Sequence, residues 1–450
     1  MIKKAIGKFV LKEDLMKKEK EETMTEIAIR SKVTHDRRYR KMAREHWITS
    51  SVVAIIILIS LCLSSFSTVT AQSVNPEKGP IRIGLNSDLT GVFTVPGTFV
   101  SKGAKAYLDR VGSKVTGREI KLIEMDNNSE PKVALEVAKK LVEKERVHLL
   151  AGVVHSGSAL AVKGYAHSVK VPYVGLSMAG VEQLTLVDPS PYYFRTHIFD
   201  GLHEIPLGTY AHKKLGIKKM GAMAFDYVGG RGKLWTFKQA FEEAGGKIIQ
   251  EIYPPLGTLD FAPYFSKIHP ESEALWIFGA GQDIPLLSQY FEFKLQKRFP
   301  LVTYWTMTVD TLVIPKFKEN MLGIITSSHY TLNYDTLENR EFINAYRSKH
   351  GEPPNEYAEG GYTGMMVICA ALKKVDGNIE DTNAFLQAMK GIKIKSPMGL
   401  INFDKNQNVI KDVQIRRVEK VGDAIQNIVL EIIPQVHQPS KNYTIHPKDR

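Results

Sequence analysis

Ser156 and Gly157 stand where an apolar run, residues 147–154, gives way to helical periodicity over 158–169, with a second apolar run at 171–176. Free N–H groups at the start of a helix carry the positive end of its dipole. A serine hydroxyl among them adds a further donor, so this spacing suits a carboxylate or a phosphate. The plainer reading is that Ser156 caps the helix, the commonest role for a serine there. Nothing catalytic accompanies it. The chain contains no GxSxG, HExxH or GxxxxGK[ST], so covalent, zinc and nucleotide chemistry lack their usual support. Residues 274–284, ALWIFGAGQDI, begin like a dinucleotide fingerprint but carry Ile284 where the third glycine belongs, and they lie deep in the chain; a tight turn is the better reading. His197, His203 and Glu204 match no metal-ligand spacing and read as solvated side chains beside a helix start. Neither a metal nor a cofactor is expected, and the chain reads as a non-enzyme.

The elements that must hold Ser156 follow from periodicity. Strands are expected at 81–86, 121–125, 147–154 and 171–176, with helices at 99–111, 132–144 and 158–169, a βα alternation that builds a parallel sheet. A second series comprises a helix at 202–215, strand 220–225, helix 233–244, strands 247–253 and 274–278, helix 284–295 and strand 301–305. Helices at 338–350 and 357–374 complete the first series, and the β-rich stretch 399–433 completes the second. The expected fold is α/β: two doubly wound parallel-sheet lobes joined by a three-crossing hinge near Thr196, Ser327 and Lys395. Residues 72–196 with 328–395 form lobe 1, 197–327 with 396–435 form lobe 2, and 436–450 are a polar tail. Ligands of open α/β sheets lie beyond the carboxyl ends of the strands, which places one in the cleft between lobes. Phe93, Tyr227 and Trp305 are candidate walls for an apolar ligand body, each with a core or rim role as the alternative. Asp226 and Asp310 either recognise a cation or cap helices. Tyr362 either faces the cleft or packs inside lobe 1.

Composition narrows the setting. With 450 residues, 43% hydrophobic and 24% charged, the chain has material for ordinary cores. Its net charge of +12 is uneven: residues 1–71 hold 14 Lys and Arg against 8 Asp and Glu, leaving 46 against 40 elsewhere. No basic stripe interleaved with aromatics remains, and no nucleic-acid partner is expected. Within residues 1–71, basic residues from Arg37 to Arg44 precede an apolar run at 48–63 and the small-residue pattern Val69-Thr70-Ala71. This order reads as an export signal cleaved before Gln72, with Met42 as the start and a retained membrane anchor as the alternative. The folded part then lies outside the cytoplasm. Of the two cysteines, Cys62 falls in the signal core and Cys369 alone in the remainder, so no internal disulfide is expected.

The chain resembles the periplasmic binding proteins of branched-chain amino acid ABC transporters, the leucine/isoleucine/valine-binding type, over nearly all of residues 80–435. The matching pieces are IRIGLNSDLTG at the first strand, the loop 152–156, YYFRT at 192–196, the turn 226–230, LGTLDFAPYFSKI with Asp260 and Phe261, EGGYTG from Glu359 and GLINFDKNQ from Gly399. The resemblance implies a type I periplasmic binding protein: a monomeric two-lobed receptor that closes on a small carboxylate and delivers it to membrane permease and ATPase subunits. Ser156 matches the serine that grips the ligand carboxylate, and Met178 and Ala179 match main-chain positions that touch the ligand. Gly180 stands where relatives for α-amino acids have a threonine that holds the ammonium, Gly229 where many have tyrosine, and Pro96 where an aromatic is common. An ammonium without oxygen partners in a closed cleft is costly. The expected ligand is therefore a branched-chain amino acid or a related acid without the amino group, aromatic or branched aliphatic. A ligand-sensing ectodomain that signals to a membrane partner is the alternative function.

Overall fold

Strand β1 (Ile81–Ser87) has its apolar residues buried on both faces, the signature of a strand covered by helices on either side. The computed structural model describes residues 78–439 and 445–449; the expected leader and export signal fall outside the described residues. After β1 come α1 (Thr94–Arg110), β2 (Lys114–Val115), β3 (Arg118–Asp126), α2 (Pro131–Lys139), β4 (Leu149–Gly152), α3 (Ser156–Ser168), β5 (Tyr173–Gly175) and β6 (Tyr193–Arg195). They form one sheet in the order β2-β3-β1-β4-β5-β6. Every pairing is parallel except the short β2–β3 hairpin. Helical periodicity through 132–144 resolves into α2 followed by a wider π turn at Lys140–Lys144.

The second series runs α4 (Glu204–Lys213), β7 (Lys219–Ala224), α5 (Val228–Glu243), β8 (Lys247–Ile252), β9 (Ala274–Phe278), α6 (Asp283–Glu292), β10 (Val302–Tyr304) and β11 (Ile325–Ser328). It continues with α7 (Leu337–His350), α8 (Glu356–Lys374), α9 (Thr382–Lys390), β12 (Lys393–Ser396), β13 (Gly399–Phe403), β14 (Val409–Val421) and β15 (Ala424–Val436). Strands β8-β7-β9 pair in parallel, and a bridge between Leu275 and Leu301 links β9 to the start of β10. From β11 onward the sheet changes sense: β14 runs antiparallel to β11, and β13 and β15 antiparallel to β14. The second lobe is therefore parallel at its centre and antiparallel at its closing side. The reason lies in the connections, since β13, β14 and β15 follow one another through short turns, which permit only antiparallel pairing.

The late helices α7 and α8 pack on α1. Helix α8 packs lengthwise on α1, and a Cβ at Gly103 would strike the Ala358 carbonyl while one at Gly361 would strike that of Val100. Two glycines facing opposite backbones let these helices approach closely. The lobes join where Arg195 of β6 pairs with Asn408, its N–H donating to the Gln407 carbonyl at 3.0 Å.

Candidate functional site

Two loops at the carboxyl ends of β1 and β4 meet through one carboxylate. Asp88, 0% exposed, accepts from Val154 N–H at 2.7 Å, from His155 N–H at 3.4 Å and from Asn127 Nδ2 at 3.2 Å. Burial pushes its carboxyl up to about 6, with the Val154 and Asn127 bonds pulling the other way. The loop itself is bent by Gly152 (φ +109°) and Val153 (φ +65°), which turn the chain from strand into α3 within four residues.

The cap of α3 is His155, not Ser156. The His155 ring accepts from Ser158 N–H at 3.3 Å through Nδ1, and Ser158 Oγ lies 3.0 Å from the same nitrogen. Burial drives the pKa of this histidine down to about 4, so at neutral pH the ring is the uncharged acceptor that the cap requires. Asp88 thus satisfies the amides of 154 and 155, and His155 that of 158. The N–H groups of Ser156 and Gly157 and the Ser156 hydroxyl are left without hydrogen-bond partners among the described residues. Ser156 is only 2% exposed. Unsatisfied donors at a buried helix start are what an anion would occupy.

Across from this cradle lies α5 of the second lobe. A Cβ at Gly229 would come 2.8 Å from Ser156 Oγ and 2.8 Å from the Tyr227 ring, so the absence of a side chain there lets the lobes approach over the hydroxyl. The Phe93, His155 and Tyr227 rings cluster beside it, with centroids 5.4 Å (Phe93–His155), 6.2 Å (Phe93–Tyr227) and 5.7 Å (His155–Tyr227) apart. The third side is the loop after β5. Met178 and Ala179 are buried, and the Ala179 and Val181 carbonyls accept from the Arg195 guanidinium at 3.4 and 3.1 Å. The Gly180 carbonyl accepts from Asp200 N–H at 2.8 Å.

Ser156, Gly157, Phe93 and Tyr227 are thus gathered at one place, and the Met178–Ala179–Gly180 loop is fixed by Arg195 and Asp200. Asp226 is not gathered in: it is half exposed and pairs with Arg231 at 2.6 Å. Trp305 is fully buried among Tyr357, His329 and Tyr304, at 4.9, 5.3 and 5.7 Å between centroids. Asp310 caps no helix and accepts from Asn427 N–H at 3.1 Å. Tyr362 packs against Tyr107 and Phe342 at 5.1 and 4.7 Å, inside the first lobe. At the rim, Asp449 pairs with Arg231 at 2.7 Å while its carbonyl accepts from Gln183 Nε2 at 3.2 Å, and His446 packs edge-on against Trp235. One short segment thereby touches α5 and the loop after β5.

The histidines expected in solvent are instead among the most buried groups. His197, His203 and His329 are each 0% exposed, with His197 Nε2 2.7 Å from His329 Nε2 and His329 Nδ1 3.2 Å from His203 Nε2. The Glu359 carboxylate lies 3.8 Å from His197, 3.5 Å from His329 and 4.0 Å from Lys411 Nζ. Their donor atoms are close enough for His197, His329 and Glu359 to hold a metal ion. The chemistry present is a chain of imidazoles that burial holds uncharged, their pKa values well below the usual histidine range, beside one carboxylate facing one ammonium. Sequence spacing hid this cluster, because His329 and Glu359 lie far along the chain from His197. Asp88, His155, Lys233 and Arg195 carry no signal in the sequence either, because the groups that they meet include ones on other elements.

A family model described as periplasmic binding protein matches residues 80–423. Leu/Ile/Val-binding protein homolog 6 of Brucella suis biovar 1 (strain 1330) is 29% identical over 352 residues, 76% of this chain and 88% of that protein. Among solved structures, an ABC transporter substrate-binding protein from Sphaerobacter thermophilus aligns with a TM-score of 0.74 at 33% identity, covering 79% of this chain and 98% of that one. A solute binding protein of an ABC transporter from Rhodopseudomonas palustris BisB5, in complex with 3,4-dihydroxybenzoic acid, aligns with a TM-score of 0.76 at 31% identity, covering 80% and 99%.

Proposed function

The chain belongs to the periplasmic binding protein family, and from that premise we propose that it is the extracytoplasmic receptor of an ABC importer, closing its lobes on a small aromatic or branched aliphatic carboxylate. The observation that carries this reading is the pair of unpaired amides and the free hydroxyl at Ser156 and Gly157 at the start of α3, with Ser156 buried, Gly157 half-buried and Gly229 of α5 facing the hydroxyl. Two carboxylate oxygens match that donor set. The ring of an aromatic acid would lie among Phe93, His155 and Tyr227, and Met178, Ala179 and Gly180 would border it. The Rhodopseudomonas relative described with a dihydroxybenzoic acid supports an aromatic acid as the first ligand to try.

The mechanism is closure. A ligand held by lobe 1 and touched by lobe 2 has a higher affinity for the closed state, and that difference alone shifts the hinge equilibrium. No bond is made or broken. The closed receptor, acting as a monomer, then docks on permease and ATPase subunits. Export by residues 1–71 places it in the periplasm, and no helix among the described residues is long and apolar enough to cross a membrane.

Native mass spectrometry of freshly purified protein, followed by calorimetric titration with benzoate and 3,4-dihydroxybenzoate, tests the reading. Ser156→Ala should weaken acid binding about 10- to 100-fold, the worth of one charge-assisted hydrogen bond, while the melting temperature moves little. Unchanged affinity in that variant would remove Ser156 from the site.

A further inference from the structure

Lys233 is an unusual residue to bury: it is 1% exposed, and its Nζ lies 2.5 Å from Asp200 Oδ1, in a pair whose side chains are 2% and 1% exposed. The Phe278 and Tyr304 rings flank the ammonium at 5.6 Å each. The Asp200 N–H also donates to the Gly180 carbonyl of the loop after β5, and Lys233 rides on α5. The pair therefore sits between α5 and the loop that carries Gly180. A Cβ at Gly180 would come 2.5 Å from Asp200 Oδ1 and 2.9 Å from Lys233 Nζ, and one at Gly232 would also strike the Asp200 carboxylate. Both glycines leave room for the ion pair and for nothing else.

Lys233 stands four residues after Gly229 on α5, hence on the same face and about 6 Å further along the helix. Gly229 is the position that faces Ser156 Oγ. The protein thus supplies its own ammonium, already matched to its own carboxylate, one helical turn from the anion cradle. Glu204, the next acid in this neighbourhood, is held toward its neutral form by burial, its pKa raised to about 7. It is no ready substitute for a carboxylate that could receive a second cation.

We infer that the Lys233–Asp200 pair is a specificity element that rejects α-amino acids and admits the corresponding acids without the amino group. The inference rests on the carboxylate reading of Ser156 and sharpens it. A ligand ammonium entering beside Lys233 meets a like charge and finds the nearby carboxylate occupied, a double penalty in a site closed to water. A ligand bearing only a carboxylate meets neither.

The test compares ligands that differ only in the ammonium: 3-phenylpropionate against L-phenylalanine, and 4-methylpentanoate against L-leucine, each titrated calorimetrically into the purified protein. The wild type should prefer the acid over the amino acid by at least 30-fold in any pair that binds. Lys233→Leu frees the Asp200 carboxylate for a ligand ammonium and should shift that ratio at least 10-fold toward the amino acid, whereas Lys233→Arg should keep the wild-type preference. Should Lys233→Leu fail to fold with its unpaired acid, the uncharged double variant Asp200→Asn/Lys233→Leu should still move the ratio more than 3-fold, because the repelling cation is gone. A merely structural role would weaken both members of a pair alike. A wild type that binds the amino acid as tightly as its partner, or a folded variant with the ratio unmoved, overturns the inference. Ser156→Ala separates the two levels: if it weakens both members while the ratio test fails, the anion cradle stands and the selectivity element falls. If neither member of either pair binds, the selectivity inference falls, and the anion cradle stands or falls on the benzoate and 3,4-dihydroxybenzoate titrations.

Discussion

Asp88→Ala should abolish ligand binding and lower the stability of the chain by about 3–5 kcal/mol. Among the described residues the carboxylate is the only partner of the Val154 and His155 amides, and it also holds Asn127. Removing it leaves buried donors unpaired, each worth about 1–3 kcal/mol. It also releases the loop that aims the Ser156 and Gly157 amides, so affinity should fall with stability. Urea denaturation and calorimetric titration of the same variant measure both losses. The conservative Asp88→Asn adds a signature in pH. Burial pushes the folded carboxyl up to about 6, against about 3.8 for an exposed aspartate, so the folded state binds this proton more tightly than the unfolded state. Its contribution to stability is therefore fully present below about 3.8 and is lost as pH rises through about 6. Relative to Asp88→Asn, the wild type should gain about 2 kcal/mol between pH 7 and pH 4. Equal gaps at both pH values would show that the carboxyl is not perturbed.

Arg195→Met should cost about 3–5 kcal/mol, the range for breaking a buried charged network by removing one partner. The guanidinium is 0% exposed and donates to Asn408 Oδ1 at 2.8 Å, Thr185 Oγ1 at 2.8 Å and the Val181 and Ala179 carbonyls. It also offsets the buried Glu182 carboxyl, whose pKa burial drives well up and Arg195 draws down. The loop carrying Met178, Ala179 and Gly180 would lose its anchor, so ligand binding should weaken together with the denaturation midpoint. Arg195→Lys should recover little, since an ammonium cannot reproduce a planar fork that reaches three segments at once. A variant of wild-type stability would mean that Asn408 and Thr185 hold the loop unaided.

Local patterns carried most of the architecture. Runs of β-branched residues ending in polar or glycine positions located β1, β4, β7 and β9 to within a few residues, and β9 coincides with residues 274–278 as expected. Helix α9 and strand β12 escaped notice because nine residues of helix and the four of Lys393–Ser396 give too little periodicity to stand out. The antiparallel close of the second sheet was equally invisible, since alternation along a strand does not state the direction of its neighbour. For the site, the order strand, serine, glycine, helix pointed to the start of α3. It could not say that His155 would cap that helix and leave Ser156 free, for that depends on the path of one buried loop. Asp88 meets the loop from 66 residues away, Asp200 meets Lys233 from 33, and His197 meets His329 from 132. Pairings over such distances are made by the fold.

The rim contact of Asp449 has a practical meaning for whoever purifies this receptor. Its carboxylate and carbonyl together hold Arg231 on one side and Gln183 on the other, a light stitch across the jaws. A substitution that cuts it, such as Asp449→Ala, should then give a dissociation constant that disagrees with the wild type's. The protein with its stitch intact is the one to measure.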